Sequence, residues 1–533
     1  MSRFNKQSKL TQTEVTHAGD IAYRMTPEME LYSLVCSSLL TPTYYVPSTN
    51  DQLNRIKARM KEVDPMFVAQ LAIYAREKMY LRTIPLVLTV ELAKLHSGNN
   101  LLRRLTRRVV QRVDEITELV SYYIESNKHD PKFVEVKGGH RVEKKIYKFS
   151  NQMRKGLADI FESGKFNEYG YAKYNRKTEV KLRDVLFLTH PKPRNTEMAE
   201  LFFKIANNKL EVPYTWETEL SKAGQDGLSK KRVWEELILS GKMGYMATLR
   251  NMRNFLKEGV SEVLLQKVAD KIASPQEVRK SKQLPFRFLS AYRVLAGNPD
   301  LNSWGGYEDD RDHTTYENAN IFIEALEKAV LVSVENMPIF ENENVLIATD
   351  VSSSMWGPIS PKSTVMNYDI GALLAMLAQT RCDYATVGMF GDNWKMLNDL
   401  AHKNVLWATN EIYKREGEVG YSTNGWKVIE GAIRDFHNEG VTYDRIMMFT
   451  DGQMWDSTSG SVGRVNKLWK EYKELVPSAK LYLFNLRGYG QMPIDMKSGS
   501  VYLIAGWSDK IFDVLQNLEK GGETLDMIKQ IEL

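Results

Sequence analysis

Apolar positions recur at helical spacing through the first 300 residues and change to strand-length runs beyond residue 340, so the pattern predicts two architectures in one chain. Between residues 27 and 300 it reads as helix after helix. Asp64-Pro65 offers an N-cap followed by proline at the first helical position. Phe67, Leu71, Tyr74 and Lys78 then fall at i, i+4, i+7 and i+11. Further helices are expected near 84–96, 101–124, 149–162, 197–208, 230–239, 260–272, 284–295 and 319–335, with short loops such as HPKP at 190–193 and NNKLEVP at 207–213. Long β-branched alternation is not expected here. The acidic, Gly/Asn/Asp-rich stretch 298–318 reads as a loop.

Many helices with short connections predict stacked helical pairs, a solenoid of the HEAT or armadillo kind, although no strict repeat period is present. After Pro338, apolar runs at 344–349, 384–390, 445–450 and 480–485 alternate with amphipathic helices at 364–380, 424–437, 463–474 and 509–519. That alternation predicts a doubly wound α/β sheet, Rossmann-like, with helices on both faces. The expected domains are therefore 1–340, helical, and 341–533, α/β.

Charge sharpens this division. The net charge of +5 conceals an asymmetry: residues 1–300 carry 51 Lys+Arg against 34 Asp+Glu, and residues 301–533 carry 21 against 33. A basic first part and an acidic second part are expected if only the first meets a polyanion. Two cysteines exclude a disulfide framework or a cysteine-rich zinc site. The N-terminus lacks an apolar signal region and no window is apolar enough to span a bilayer, so a cytoplasmic protein without membrane contact is expected.

The chemistry of the second part lies at its strand ends. The run LIATDVSSSMWG places Asp350, Ser352 and Ser354 directly after the first strand. A later strand ends in Thr450-Asp451-Gly452, and GYSTNG supplies Thr423 in a glycine-flanked loop. Ligands of open α/β sheets sit beyond the C-terminal strand ends, at the point where strand order reverses. Two carboxylates and three hydroxyls there would suit a hard divalent cation, best Mg2+, with one position left for an outside acidic ligand. On its own, DVSSS also reads as a serine-rich N-cap. The whole constellation resembles the metal-ion-dependent adhesion site (MIDAS) of von Willebrand factor A domains. The resemblance assigns Asp350, Ser352, Ser354, Thr423 and Asp451 to the metal. Ser422 stands where that family often has glycine, and could replace Thr423.

The basic part carries three clusters. Arg103, Arg104, Arg107, Arg108 and Arg112 recur at helical spacing; KGGHRVEKKIYK contributes His140, Arg141, Lys144, Lys145 and Lys148; and Lys173, Arg176, Lys177, Lys181 and Arg183 precede His190. Such clusters neutralise phosphates without reading sequence, and each also reads as a solvated face. Tyr169, Tyr171 and Tyr174 interleave with the third cluster and are candidates to stack on unpaired bases.

That cluster leads into DVLFLTHPKP at 184–193, which is similar to a motif of the Ro autoantigen family, the proteins built on a TROVE domain. TPTYYV at 41–46, YTWE at 214–217 followed by VWEEL, TLRNMRNF at 248–255, LPFRFLSAY at 284–292 and ALEKAVLVSVENMP at 325–338 follow in the family's order. The resemblance spans about 20–533. It implies a HEAT-like helical solenoid closed into a ring, plus a von Willebrand A domain. It further implies a non-enzymatic protein of RNA quality control, binding single-stranded 3′ ends of misfolded RNAs in a central hole and small noncoding Y RNAs on the outer surface. By alignment through the histidine motif it places Lys173 and Lys177 at the hole and His190 on the Y RNA surface, although the family's usual tryptophan is missing from 173–183. A 3′-to-5′ exoribonuclease is the implied protein partner, and no DNA is expected. The competing expectation is a metal-dependent adhesion or chaperone-type protein whose solenoid binds protein. A phosphohydrolase using Asp350 is disfavoured, because Ser352 stands where a second carboxylate would be needed.

Overall fold

The structure is a computed structural model that describes residues 13–15, 21–38, 51–129, 133–136, 140–143, 149–175, 178–296, 316–335, 337–359, 363, 365–454, 463–488, 491–495 and 500–533. Arg176, Lys177, Lys144 and Lys145, four of the expected RNA contacts, lie outside the described residues, as does most of the 298–318 loop.

Helices fill the first part as the spacing predicts. Asp64 accepts a hydrogen bond from the Met66 amide at 2.7 Å and starts helix Pro65–Glu77, which buries Phe67, Leu71 and Tyr74. The single helix expected over 101–124 is instead two, Leu101–Val109 and Val113–His129. The cause is a buried charge. Glu115 turns back to accept the Gln111 and Arg112 amides at 2.8 and 3.0 Å, while its carboxylate pairs with Arg76 at 2.6 Å. Arg76 in turn donates to the Val109 carbonyl at 2.9 Å, so the interruption is held from both sides. A further difference is a hairpin of β3 (Phe133–Val136) and β4 (His140–Glu143), numbered after the short antiparallel pair β1 (Thr13–Val15) and β2 (Ile21–Arg24). It falls in a stretch that the sequence pattern reads as helix after helix, without long β-branched alternation.

The second part is an open sheet. Its strands are β5 (Phe340–Asp350), β6 (Cys382–Phe390), β7 (Trp394–Met396), β8 (Arg445–Thr450), β9 (Lys480–Asn485) and, after the short β10 (Gln491–Met492) that pairs with β2, β11 (Val501–Ala505). The order is β11-β9-β8-β5-β6-β7, parallel throughout except for the edge strand β7. Strand order reverses between β5 and β8, as a doubly wound fold requires. The two edge strands β7 and β11 and helix Val405–Arg415 add to the elements the pattern predicts.

Element type changes at Phe340, yet the compact units divide the chain elsewhere. One unit holds Met1–Ser37 with Gly244–Thr524; the other holds Ser38–Met243 with Leu525–Leu533. Helix Pro27–Cys36 therefore belongs with the sheet: the Tyr32 hydroxyl donates to the Ala505 carbonyl at 3.3 Å and accepts its amide at 3.1 Å. So do the last helices of the helical run. Arg293, on helix Phe286–Leu295, forks onto both oxygens of Asp369 at 2.7 and 2.6 Å, with side-chain exposures of 1% and 0%. In the second unit, Gln70 holds the terminal segment by donating to the Lys529 and Ile531 carbonyls at 2.9 and 3.0 Å.

Breaking the Arg293–Asp369 pair from one side strands a buried charge. Asp369→Asn or Arg293→Ala is expected to cost about 3–5 kcal/mol, read as a lower urea midpoint of the transition that reports the sheet. An unchanged midpoint would show that the fork does not hold the helix to the sheet.

Candidate cation centre and nucleic-acid interface

Asp350 ends β5 and Asp451 follows β8, so their neighbouring places in the sheet bring both carboxylates to the switch point. Both are wholly buried, as is Ser352. Asp350 is fixed on two sides: one oxygen accepts the Ser352 amide at 2.9 Å and the other accepts the Thr450 hydroxyl at 2.6 Å. Asp451 accepts the Gln453 amide at 3.0 Å through one oxygen. Its other oxygen is buried with no hydrogen-bond partner among the described residues. The Ser352 and Ser354 hydroxyls stand 3.2 Å apart.

The third loop is built by close backbone approach. A Cβ at Gly391, just after β6, would stand 2.0 Å from the Gly420 carbonyl oxygen, so only glycine lets the two loops meet. The Tyr421 carbonyl then accepts the Ser353 amide at 2.8 Å, which seats the 420–424 loop against the serine loop. Asp392 accepts the Ser422 amide at 2.7 Å, and a hydrogen bond with the Ser422 side chain also holds the Asp392 pKa down. Ser422 is thereby committed to Asp392, and Thr423 is the half-buried hydroxyl that remains in the loop.

Electrostatics makes the same point. Burial, and next to it the Asp451 charge, pushes the Asp350 carboxyl up to about 7. Burial also raises Asp451, against the Gln453 amide, the Ser354 side chain and, after these, the charge of Arg487, whose guanidinium donates to the Ser354 carbonyl. Two desolvated carboxylates, an orphaned carboxylate oxygen and paired hydroxyls are a donor set that fits a hard cation. No group of three or more His, Cys, Asp or Glu suited to a metal occurs among the described residues. A site here would therefore depend on its hydroxyls. Thr450, Asp392 and Arg487 escape the sequence reading. Thr450 was legible in the T-D-G run, whereas Arg487 has no local signal.

In the other unit, the arginine cluster is largely spoken for. Arg103 forks onto Asp159 at 2.7 and 2.7 Å, Arg108 onto Glu77 at 3.0 and 2.6 Å, and Arg112 onto Asp114 at 3.0 and 3.1 Å. Arg104 and Arg107 remain exposed. With Arg108 and Lys165, and Asp159 as the opposing charge, they line a cleft of about 380 Å3. Arg141 lies on β4.

Lys173 is exposed, its Nζ 5.9 Å from the Tyr169 ring centre and 5.7 Å from that of Tyr174. Tyr171 is not a stacking platform. It is 1% exposed and packs in parallel on Phe161 at 5.8 Å, because it lies on the inward face of helix Glu168–Tyr174. His190 is exposed and left-handed, φ 47°, where helix Leu182–Thr189 ends before Pro191.

Comparison with known proteins places this geometry. The TROVE domain family model matches residues 26–208 and 206–297. The chain belongs to the TROVE-domain family. Proteins of this family bind RNA. The TROVE chain is 23% identical over 352 residues to telomerase protein component 1 of Rattus norvegicus, and 24% identical over 349 residues to that of Mus musculus. Each match covers 50% of this chain but only 13% and 12% of those relatives. Among solved structures, the Deinococcus radiodurans Ro (Rsr) protein aligns over 95% of this chain and 100% of its own, with a TM-score of 0.57 and 14% identity, a likeness of fold. Lys173, His190 and the arginine cluster all lie within the TROVE match, and the cation centre lies beyond it.

Because both carboxylates titrate higher in the folded than in the unfolded chain, stability without cation is expected to fall as pH rises from about 4 to about 7. Mg2+ should recover it over the same window. At ten times its Kd the cation would add about 1.4 kcal/mol, about 2–4 °C in Tm. Thermal melts at pH 8 with Mg2+ or EDTA, on wild type and Asp451→Asn, check this; equal Mg2+ gains in both proteins would remove Asp451 from the site.

Proposed function

We propose that this TROVE chain is a non-enzymatic, cytoplasmic RNA-binding protein of RNA quality control. It takes single-stranded 3′ ends of misfolded or structured RNAs into the hole of a helical ring and holds Y-type noncoding RNA on the outer surface through His190. A 3′-to-5′ exoribonuclease is the partner that would use the bound RNA. The observation that carries the reading is Lys173: an unburied ammonium set between two tyrosine rings, inside the family-matched and net-basic stretch. A cation beside an exposed ring, here Tyr169, serves phosphate and base together.

The A-type sheet would serve a different ligand. The orphaned Asp451 oxygen supports Mg2+ held by Asp350, Ser352, Ser354, Thr423 and Asp451. Bound there, the cation would supply a Lewis-acidic position for an acidic side chain of a protein partner. If that were the chain's principal activity, it would be a metal-dependent adhesion or chaperone-type protein. The basic TROVE stretch favours RNA.

A gel-shift titration at two salt concentrations tests the reading, using a hairpin with a single-stranded 3′ tail and the same hairpin blunt-ended. Wild type is expected to bind the tailed RNA more tightly, with affinity falling steeply in salt. Lys173→Ala/Lys177→Ala should lose most of that preference. Equal binding of both RNAs, untouched by the double variant, would refute the threading of 3′ ends.

A further inference from the structure

Tyr214, the first residue of the YTWE motif, and Lys242 are given no role above. Tyr214 is 37% exposed and Tyr169 45% exposed, so both rings reach solvent. They are joined: the Tyr169 hydroxyl donates to the Tyr214 carbonyl at 3.2 Å. The Lys242 ammonium stands 4.7 Å over the Tyr214 ring. At the other end, Arg112 lies 5.0 Å over the Tyr174 ring and donates to its hydroxyl at 2.9 Å. Lys173 sits between Tyr174 and Tyr169. Three rings and three cations thus follow one connected path, Arg112–Tyr174–Lys173–Tyr169–Tyr214–Lys242, with Tyr169 and Tyr214 joined directly, drawn from separate stretches of a single compact unit.

We propose that Tyr214 and Lys242 extend the Lys173 surface into a stacking track for the unpaired bases of single-stranded RNA. The proposal rests on the RNA-binding reading and specifies where the strand runs. Open ring faces bind bases of any identity, and adjacent cations neutralise the phosphates between them. A duplex presents its bases edge-on and stacked, so it gains only the charge. Two carboxylates oppose the track: Asp114, which occupies Arg112, and Glu217, which acts electrostatically on Tyr169.

Stacking and charge separate in a salt series. Anisotropy titrations of the full chain would use the tailed and blunt hairpins with wild type, Tyr214→Ala, Tyr214→Phe, Lys242→Ala and Lys173→Ala. Tyr214→Ala is expected to weaken tailed RNA about five- to a hundredfold with an unchanged salt slope. Tyr214→Phe should bind as wild type. Lys242→Ala should reduce the slope by about 0.7. A merely structural role for Tyr214 would instead lower Tm and weaken both RNAs alike, which would overturn the proposal. If wild type prefers the tail and Lys173→Ala loses that preference while Tyr214→Ala and Lys242→Ala do not, the track fails and the RNA reading stands. If wild type binds neither RNA, both fail.

Discussion

A buried fork between Arg293 and Asp369 decides where this molecule's architecture is joined. Arg293 closes the last TROVE-matched helix, and Asp369 caps the first helix after the serine loop by accepting the Met366 amide at 2.7 Å. The guanidinium also donates to Asn410 at 3.2 Å and lies 4.7 Å over the Tyr413 ring, so its buried donors are matched on several sides. The helix it fixes, Asn367–Gln379, packs so closely on β5 that a Cβ at Gly371 would stand 3.1 Å from the Thr349 hydroxyl. Thr349 immediately precedes Asp350. The last TROVE-matched helix, which lies in the same compact unit as the sheet, thus helps hold the strand end that carries Asp350.

The same logic separates charges that build the fold from charges that face outward. Arg76 and Glu115 pair at 7% and 0% exposure and create a helix break. Arg103, Arg108 and Arg112 are drawn into pairs that join one helix to another or pin a helix start. Exposed pairs of this kind add little stability, but they occupy the cation. Net charge over a stretch therefore overstates its capacity for phosphate. What remains exposed is smaller and more specific: Arg104 along the cleft, with Arg107 3.9 Å from the shared Asp159 carboxylate, and Lys173 and Lys242 beside their rings.

The sequence was most legible where chemistry is local. The D-x-S-x-S run and the T-D-G run each lie within a few residues of the strand that carries them, and hydrophobic runs of strand length located four of the six strands of the sheet. Features made by distant pairing were not visible. The break at 110–112 needs Arg76, more than thirty residues upstream. Helix Pro27–Cys36 joins the sheet through a Tyr32–Ala505 bond that crosses 473 positions. The hairpin of β3 and β4 was hidden because its lysine and arginine content outweighed the short FVEV and RVE alternation. Tyr169, Tyr171 and Tyr174 looked equivalent in a list of aromatics. Only the helix face distinguishes the core ring from the two near Lys173.

The two candidate sites also make different physical demands. At the sheet's switch point, two carboxylates are taken out of water beside each other, and desolvation is the larger part of what raises them. Nothing about packing the sheet requires that arrangement; apolar strand ends would be cheaper. Arg487 offsets only part of it, since its guanidinium is directed to the Ser354 carbonyl. A divalent charge would offset the rest, and the resulting site would select hard oxygen ligands. The TROVE surface is the opposite case. Its Lys173 and Lys242 ammonium groups are exposed, and so are the Tyr169 and Tyr214 rings. A ligand that matched both would carry a flat face and a charge, as an unpaired nucleotide does.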